Sequence, residues 1–391
     1  MNTIGNHMHT DFATAGRVLF GWGKIYQLAE LISAWGKNAF LVRGKSKSYG
    51  QPFYAELEKA GVNITEYSVS SEPEASTISE AVSLARNKGC EFVIAFGGGS
   101  VIDTGKAVSA LLTNEGDLLD YLEVIGKGLP LKYPSAHFIA MPTTSGTGSE
   151  VTKNAVINVP EKKVKVSIRS NFLLPSIALV DPQFTTKLPA EITASSGMDA
   201  FIQVIEPYVC NAPNAMVDMF CKDAIPRAAS ALPRAYKNGR DIEARINMSW
   251  VSLMGGLSLA NAKLGAVHGF AGPIGGMYRS PHGAICAALL TAVIKVNCEL
   301  LAKSSDGDVI LKRYIEVFRW VTGSEHASIK DGIQWFDELC KALNIQPLRK
   351  FGVQRSDFEE IIEKSSRSSS MRGNPVQLGA REMSRILEMA Y

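Results

Sequence analysis

The stretch FGGGSVIDTGKA, residues 96–107, joins the apolar run CEFVIA to a segment of helical pattern. Three consecutive glycines are costly to order, so something must approach this backbone too closely for a side chain. A buried strand, a glycine turn and a helix in succession form a phosphate site. The bare backbone admits the anion, and the first amides and the dipole of the helix favour negative charge. The spacing GGGSVID is not the GxGxxG fingerprint, and a tight turn that merely packs helix on sheet is the alternative reading. A second segment favours the ligand. MPTTSGTGSEVTKNAVI (141–157) also follows a strand pattern and is dense in Thr, Ser and Gly. Short hydroxyls and bare amides suit a pyrophosphate and a ribose. Two such segments at strand ends point to a dinucleotide site beyond the carboxyl edge of a parallel sheet.

Outward from the glycine turn, the first half of the chain alternates. KNAFLVRG (37–44), VNITEYSVS (62–70), HFIAMPTT (137–144) and SIALVDP (176–182) have strand character, while YGQPFYAELEKAG (49–61) and STISEAVSLARNKG (76–89) have helical periodicity and end on glycine. This order predicts βαβ units and a parallel sheet. PEKKVKV (160–166) reads as a solvated hairpin. Past residue 190 every segment carries helical periodicity and none reads as a strand. The expected organisation is therefore a Rossmann-like α/β dinucleotide-binding domain over residues 1–188. An all-helical metal- and substrate-binding domain over 189–391 follows it.

The 391 residues are 46% hydrophobic, enough for a large core. Net charge is +3 from 41 basic and 38 acidic residues, too balanced for an electrostatic nucleic-acid binder. The six cysteines, at 90, 210, 221, 286, 298 and 340, form no CxxC pair and read as buried free thiols in a reducing compartment. The N-terminus has no secretory pattern. The apolar run GAICAALLTAVI (283–294) has the length of a core helix and is too short for a bilayer. The expectation is a cytoplasmic protein with neither a nucleic-acid nor a membrane partner.

In the helical half, SSGMDAFIQVIEPYV (195–209) places Asp199 and Gln203 four apart on one helix face, with Ser195 or Ser196 available as the cap and the acid in the first turn. GAVHGFAGPIGGMYRSPHGAICAALL (265–290) holds His268 and His282, two of only six histidines. Each is readable as a hydrogen-bonded core histidine. Together with an acid and an amide at helical spacing they form a candidate site for a divalent metal.

These motifs, with RVLFGWGKIYQLAELI (17–32), LVDPQFTTKLP (179–189) and RGNPVQLGAREMSRILEMA (372–390), occur together in an order that resembles the iron-containing (group III) alcohol dehydrogenase family over essentially the whole chain. The resemblance implies a dinucleotide domain and a helical domain, with cofactor and metal meeting in the cleft between them. It implies that Gly98, Gly99 and Ser100 hold the pyrophosphate, with Asp103 close behind. Thr143, Thr144 and Thr147 would line the cofactor, and Lys165 would reach its ribose or nicotinamide side. Asp199, His268 and His282 match three of the family's four metal ligands.

Two positions depart from the family pattern. Gln203 stands where the second ligand is usually histidine, so the amide oxygen would be a weaker donor. Gly272 replaces the second histidine of an H-x-x-x-H motif, which removes a proton-relay side chain. At the end of the first strand, Gly44 takes the place of the acid common in NAD-preferring relatives. Arg43, Lys45 and Lys47 stand nearby, so NADP is favoured over NAD. The implied reaction is reversible hydride transfer between a nicotinamide cofactor and a small primary alcohol or aldehyde, assisted by Fe2+ or alternatively Zn2+. Two readings compete on the same fold: a metal-free reductase of the maleylacetate reductase kind, and a lyase of the dehydroquinate synthase kind using Arg169, Lys263 and Arg279. Loss of catalysis with cofactor binding retained is a third. Phe270, Trp250 and Tyr278 are candidate walls of the substrate pocket. A homodimer or larger homo-oligomer is expected, with the segment HTDFATAGRVLFG (9–21) able to supply a strand for pairing.

Overall fold

The computed structural model describes residues 11–45, 50–162, 164–278, 280–305 and 307–391. Eight strands come first in the chain: β1 (Arg17–Phe20), β2 (Asn38–Gly44), β3 (Asn63–Val69), β4 (Phe92–Gly97), β5 (Phe138–Pro142), β6 (Asn154–Val159), β7 (Val164–Arg169) and β8 (Ile177–Val180). Between them lie the helices α1 (Leu28–Ile32), α2 (Gln51–Ala60), α3 (Ala75–Asn87), α4 (Gly99–Thr113) and α5 (Leu118–Tyr121). Six strands form one parallel sheet in the order β1-β8-β5-β4-β2-β3. Side chains alternate across it. Phe40, Val42, Val93 and Ala95 pack with α3 and α4 on one face, while Leu41, Ile94 and Ile139 pack with Phe53 of α2 on the other. Both faces are covered, which is why these strands read as continuous apolar runs. From β2 the chain moves outward to β3, then crosses back to β4 and moves outward the other way to β5. Neighbouring β2 and β4 thus diverge, and the crevice at their carboxyl ends is where open sheets of this kind bind ligands.

The remaining helices are α6 (Ala190–Val209), α7 (Ala215–Lys237), α8 (Ile242–Asn261), α9 (Ala266–Tyr278), α10 (His282–Leu301), α11 (Asp308–Thr322), α12 (Ile329–Ala342), α13 (Phe358–Ser366) and α14 (Ala380–Ala390). They share one apolar core. The fold is a six-stranded parallel α/β layer followed by an all-helical region, as the alternation of patterns predicts.

Residues 17–20 pair with β8 as an edge strand of the sheet, with no strand on their other side among the described residues. Three local expectations need correction. The hairpin at 160–166 is the tip of the antiparallel ribbon β6–β7, whose inner face is buried through Ala155, Ile157, Val166 and Ile168, so it is solvated on one side only. Ser195 and Ser196 cap nothing. The helix begins at Ala190 after Pro189, both hydroxyls bond back to Ile192 O, and Asp199 lies in the third turn. Finally, α10 is longer than the run 283–294. It has the length and mean hydropathy (1.8) of a membrane span, yet 67% of that window is buried inside the protein.

The Asn-Pro dipeptide near the C-terminus acts at a distance. Asn374 is buried, accepts hydrogen bonds from Ala266 N–H at 3.1 Å and Asn297 Nδ2 at 3.1 Å, and donates to Asn297 Oδ1 at 2.8 Å. It therefore caps α9 from another part of the chain. Asn374→Ala leaves buried groups unpaired and is expected to lower stability by about 1–3 kcal/mol, read as the urea midpoint; an unchanged midpoint removes the capping role.

Candidate metal and cofactor site

One stripe of α6 carries Asp199, Gln203 and Glu206, all buried. Their spacing puts the three side chains on one face. Glu206 meets the start of α9. Its Oε1 accepts Val267 N–H at 2.8 Å, and its Oε2 lies 2.6 Å from His268 Nδ1. A carboxylate at a helix N-terminus is favoured by the dipole. Because Nδ1–H is spent on Glu206, Nε2 faces the site, the carboxylate–imidazole arrangement that supports metal-ligating histidines.

His282 opens α10. This helix start lies hard against α6: a Cβ on Gly283 would sit 2.2 Å from Ser195 O and 3.1 Å from Asp199 Cβ. Only glycine permits that approach, and it brings His282 Nε2 to 3.8 Å from Asp199 Oδ1, with His268 Nε2 at 3.4 Å from the same oxygen. Cys286, one turn further along α10, places its Sγ 3.6 Å from His282 Nε2. The ligand atoms of Asp199, His268, His282 and Cys286 all lie within 4.8 Å of one another.

Asp199 Oδ1, Gln203 Oε1 and His268 Nε2 are buried and have no hydrogen-bond partner. Buried polar atoms are ordinarily paired, so three unpaired atoms of ligand type converging on one point fit a cation, which would displace the proton His268 otherwise holds. The electrostatics agree. Burial alone would push the Asp199 carboxyl up, but the adjacent His268 and His282 imidazoles hold it below its usual value. Burial alone would push His268 down, yet Glu206 and Asp199 hold it up at about 10, so a cation entering here displaces a proton.

The same cavity, about 190 Å³, is lined on its other side by Gly99, Ser100, Asp103 and Thr147, with Lys165 and Glu72 beside them. The glycine turn explains itself partly by packing: a Cβ on Gly99 would sit 2.8 Å from the Thr147 side chain, and one on Gly98 would sit 3.4 Å from Thr144. The two loops read from the sequence therefore interlock, and Thr143 N–H bonds Gly97 O at 3.0 Å. Gly98, Thr143 and Thr144 belong to this edge without lining the cavity. Gly44 ends β2, one register step beyond the Arg43–Phe96 pairing. Lys165 extends from β7, with Nζ 2.6 Å from Glu72 Oε1.

Beneath these loops lies a buried ionic cluster that sequence reading missed. Lys106, fully buried on α4, donates to Thr152 Oγ1 at 2.7 Å and Asn154 O at 2.8 Å, tying α4 to the start of the ribbon. Its Nζ lies 4.0 Å from Asp103 Oδ1, while Asp103 Oδ2 accepts Val156 N–H at 3.1 Å. Burial pulls the Lys106 ammonium down to about 8 and pushes the Glu150 carboxyl up to about 7.

Other expectations fall away from the cavity. Phe270 is wholly buried in the helical core, Trp250 Nε1 bonds Asp223 Oδ2 at 2.6 Å, and the Tyr278 hydroxyl bonds Asp357 Oδ2 at 2.5 Å. Arg169 pairs with Glu123 on the surface and Lys263 is exposed. Arg43 pairs with Glu66 at 2.8 Å and Lys45 is exposed. Lys47 and Arg279 lie outside the described residues. A Cβ on Gly272 would meet nothing within 4 Å. Glu206 was readable from its spacing to Asp199 and Gln203. Cys286 was readable from its position four after His282.

Comparison with known proteins agrees with this geometry. The family profile "Iron-containing alcohol dehydrogenase" matches residues 15–182, and "Fe-containing alcohol dehydrogenase family, C-terminal" matches residues 193–391. Alcohol dehydrogenase 4 of Saccharomyces cerevisiae (strain YJM789) is 32% identical over 86% of this chain and 85% of its own length. 1,3-Propanediol dehydrogenase of Klebsiella pneumoniae shows the same figures, 32%, 86% and 85%. The structure of an alcohol dehydrogenase from Oenococcus oeni superposes with a TM-score of 0.88 at 30% identity, covering 98% of this chain and 100% of that one. The chain belongs to the iron-containing alcohol dehydrogenase family and is an oxidoreductase.

The raised Glu150 carboxyl fixes a pH trend. Between its ordinary 4.5 and about 7 the folded state retains a proton that the unfolded state loses, so stability falls as pH rises through that window. Glu150→Gln is expected to flatten this part of the stability–pH curve, a contribution on the order of 3 kcal/mol; an equally steep curve in the variant overturns it.

Proposed function

We propose that this member of the iron-containing alcohol dehydrogenase family is a metal-dependent, NAD(P)-linked alcohol dehydrogenase and aldehyde reductase acting on small primary alcohols and aldehydes. Residues 1–188 bind the dinucleotide, residues 189–391 bind metal and substrate, and the reaction takes place between them. The single observation that carries this reading is the set of orphaned buried donors, Asp199 Oδ1, Gln203 Oε1 and His268 Nε2, facing the glycine turn across one cavity.

Asp199, His268 and His282 hold the divalent ion, ferrous iron as the family's name implies or zinc, with Gln203 offering its amide oxygen. Gly98, Gly99 and Ser100 seat the pyrophosphate at the start of α4, and Thr143, Thr144 and Thr147 flank it from the interlocked second loop. When bound, the ion supplies Lewis-acid polarisation of the reacting oxygen and the nicotinamide supplies the hydride. Asp103 anchors the ribbon through Val156 N–H, and that ribbon aims Lys165 at the cavity, where Glu72 fixes its ammonium. Glu206 holds the His268 ring in orientation. Gly272 offers no titratable group, so the proton does not pass through that position.

The unpaired buried atoms of Asp199, Gln203 and His268 argue against the metal-free reductase reading, which has no use for them. Arg169 and Lys263 stand away from the cavity, which argues against the lyase reading. Asp199→Ala is expected to lower kcat/KM by at least about a hundredfold and to lower bound metal measured by elemental analysis; unchanged turnover removes the mechanism.

Cofactor choice rests on Gly44, which puts no carboxylate at the end of β2, and on Glu66 being matched by Arg43. NADPH is therefore expected to give the higher kcat/KM. A strong preference for NADH in the same assay overturns this.

A further inference from the structure

We infer that Cys286 is the fourth protein ligand of this metal site beside Asp199, His268 and His282, standing in for the weak amide donor Gln203 and turning the site toward zinc. The inference rests on the metal reading above and adds to it a donor that the family ligand set lacks.

Position comes first. His282 and Cys286 are one turn apart on α10, as Asp199 and Gln203 are on α6, so two helices each present a pair of donors to one point. The four donor atoms lie within 4.8 Å of one another, and three of their separations come close to those of a single coordination sphere. For bonds of about 2.05 Å to N or O and about 2.3 Å to S, a tetrahedron has edges of about 3.3 Å between N and O and about 3.6 Å between N and S. Asp199 Oδ1 to His268 Nε2 is 3.4 Å, Asp199 Oδ1 to His282 Nε2 is 3.8 Å, and Cys286 Sγ to His282 Nε2 is 3.6 Å. The orphaned Asp199 Oδ1 and His268 Nε2 are independent pointers to the same centre.

Charge and softness follow. Asp199 with two neutral imidazoles leaves a divalent ion with one uncompensated charge in a buried site, and the neutral Gln203 amide cannot supply it. A thiolate at Cys286 cancels it. Binding then replaces the S–H bond with an S–metal bond and releases one proton to the buffer. Thiolate with imidazole and carboxylate suits zinc, whereas an all-hard N and O set does not discriminate in this way. A zinc site that expands from four to five donors still admits substrate.

The test uses the full chain, stripped with a chelator and reloaded with Co2+ or Zn2+. Wild type loaded with cobalt should show a sulfur-to-cobalt charge-transfer band in the near ultraviolet. Cys286→Ser should lose that band while still binding cobalt, and its zinc affinity in chelator competition should fall at least about tenfold. X-ray absorption of zinc-loaded wild type needs no variant and should show one sulfur neighbour at about 2.3 Å. Cobalt bound without the band, no sulfur neighbour, or a band that survives in Cys286→Ser each overturns the inference and leaves the metal site standing. Failure of wild type to bind either ion overturns both.

Discussion

The Glu206 carboxylate is the contact on which the site depends. It lies on α6 and reaches the first turn of α9, bonding Val267 N–H with one oxygen and His268 Nδ1 with the other. A single buried group thereby satisfies a helix-terminal amide, selects the histidine tautomer and aims Nε2 at Asp199. Remove it and a buried amide and a buried imidazole both lose their partner, a loss worth more than the bonds themselves. Asn374 completes the same helix terminus through Ala266 N–H. The metal-facing side of α9 is therefore set by two side chains from opposite ends of the helical region.

The cofactor-facing side is held by close packing rather than by charge. Gly99 fits against Thr147 and Gly98 against Thr144, so the glycine turn and the Thr-rich loop fix each other's shape. Below them, Lys106 ties α4 to the ribbon. The ribbon also packs on α9, and through Lys165 it reaches the cavity from the α/β side. At Gly99 the turn has to admit the neighbouring loop, a requirement that a phosphate-site reading of such a motif does not count.

Much of the fold was legible because burial is periodic. The central strands β2, β4, β5 and β8 are apolar on both faces, and α2 and α3 run into Gly61 and Gly89 where the chain reverses. Asp199, Gln203, His268 and His282 were legible as chemistry because such residues in apolar surroundings need a partner. What escaped the sequence depends on three-dimensional proximity. The start of α6 was misread because serines look like caps, whereas Pro189 sets the boundary and the hydroxyls bond back into the helix. The aromatic walls were misplaced because a helix face cannot be assigned when most of the helix is buried, as in α8 and α9. Arg43 read as an available cation, yet its partner Glu66 comes from the adjacent strand, in a pairing no local pattern reveals.

The chemistry of the site and the stability of the helical region are one problem. Asp199 and Glu206 bury two carboxylates around a single imidazole, with little water to solvate them. Such an arrangement is costly unless the charges are compensated and every lone pair is used. His268 meets part of that demand by holding its proton against burial. A divalent ion bound here, as proposed above, would meet the rest by taking up Asp199 Oδ1 and Gln203 Oε1. Binding free energy at this point would then also be folding free energy for α6, α9 and α10. The close approach of α10 to α6 at Gly283 could not be relaxed without moving His282, so the packing that shapes the core is the same packing that sets the ligand distances.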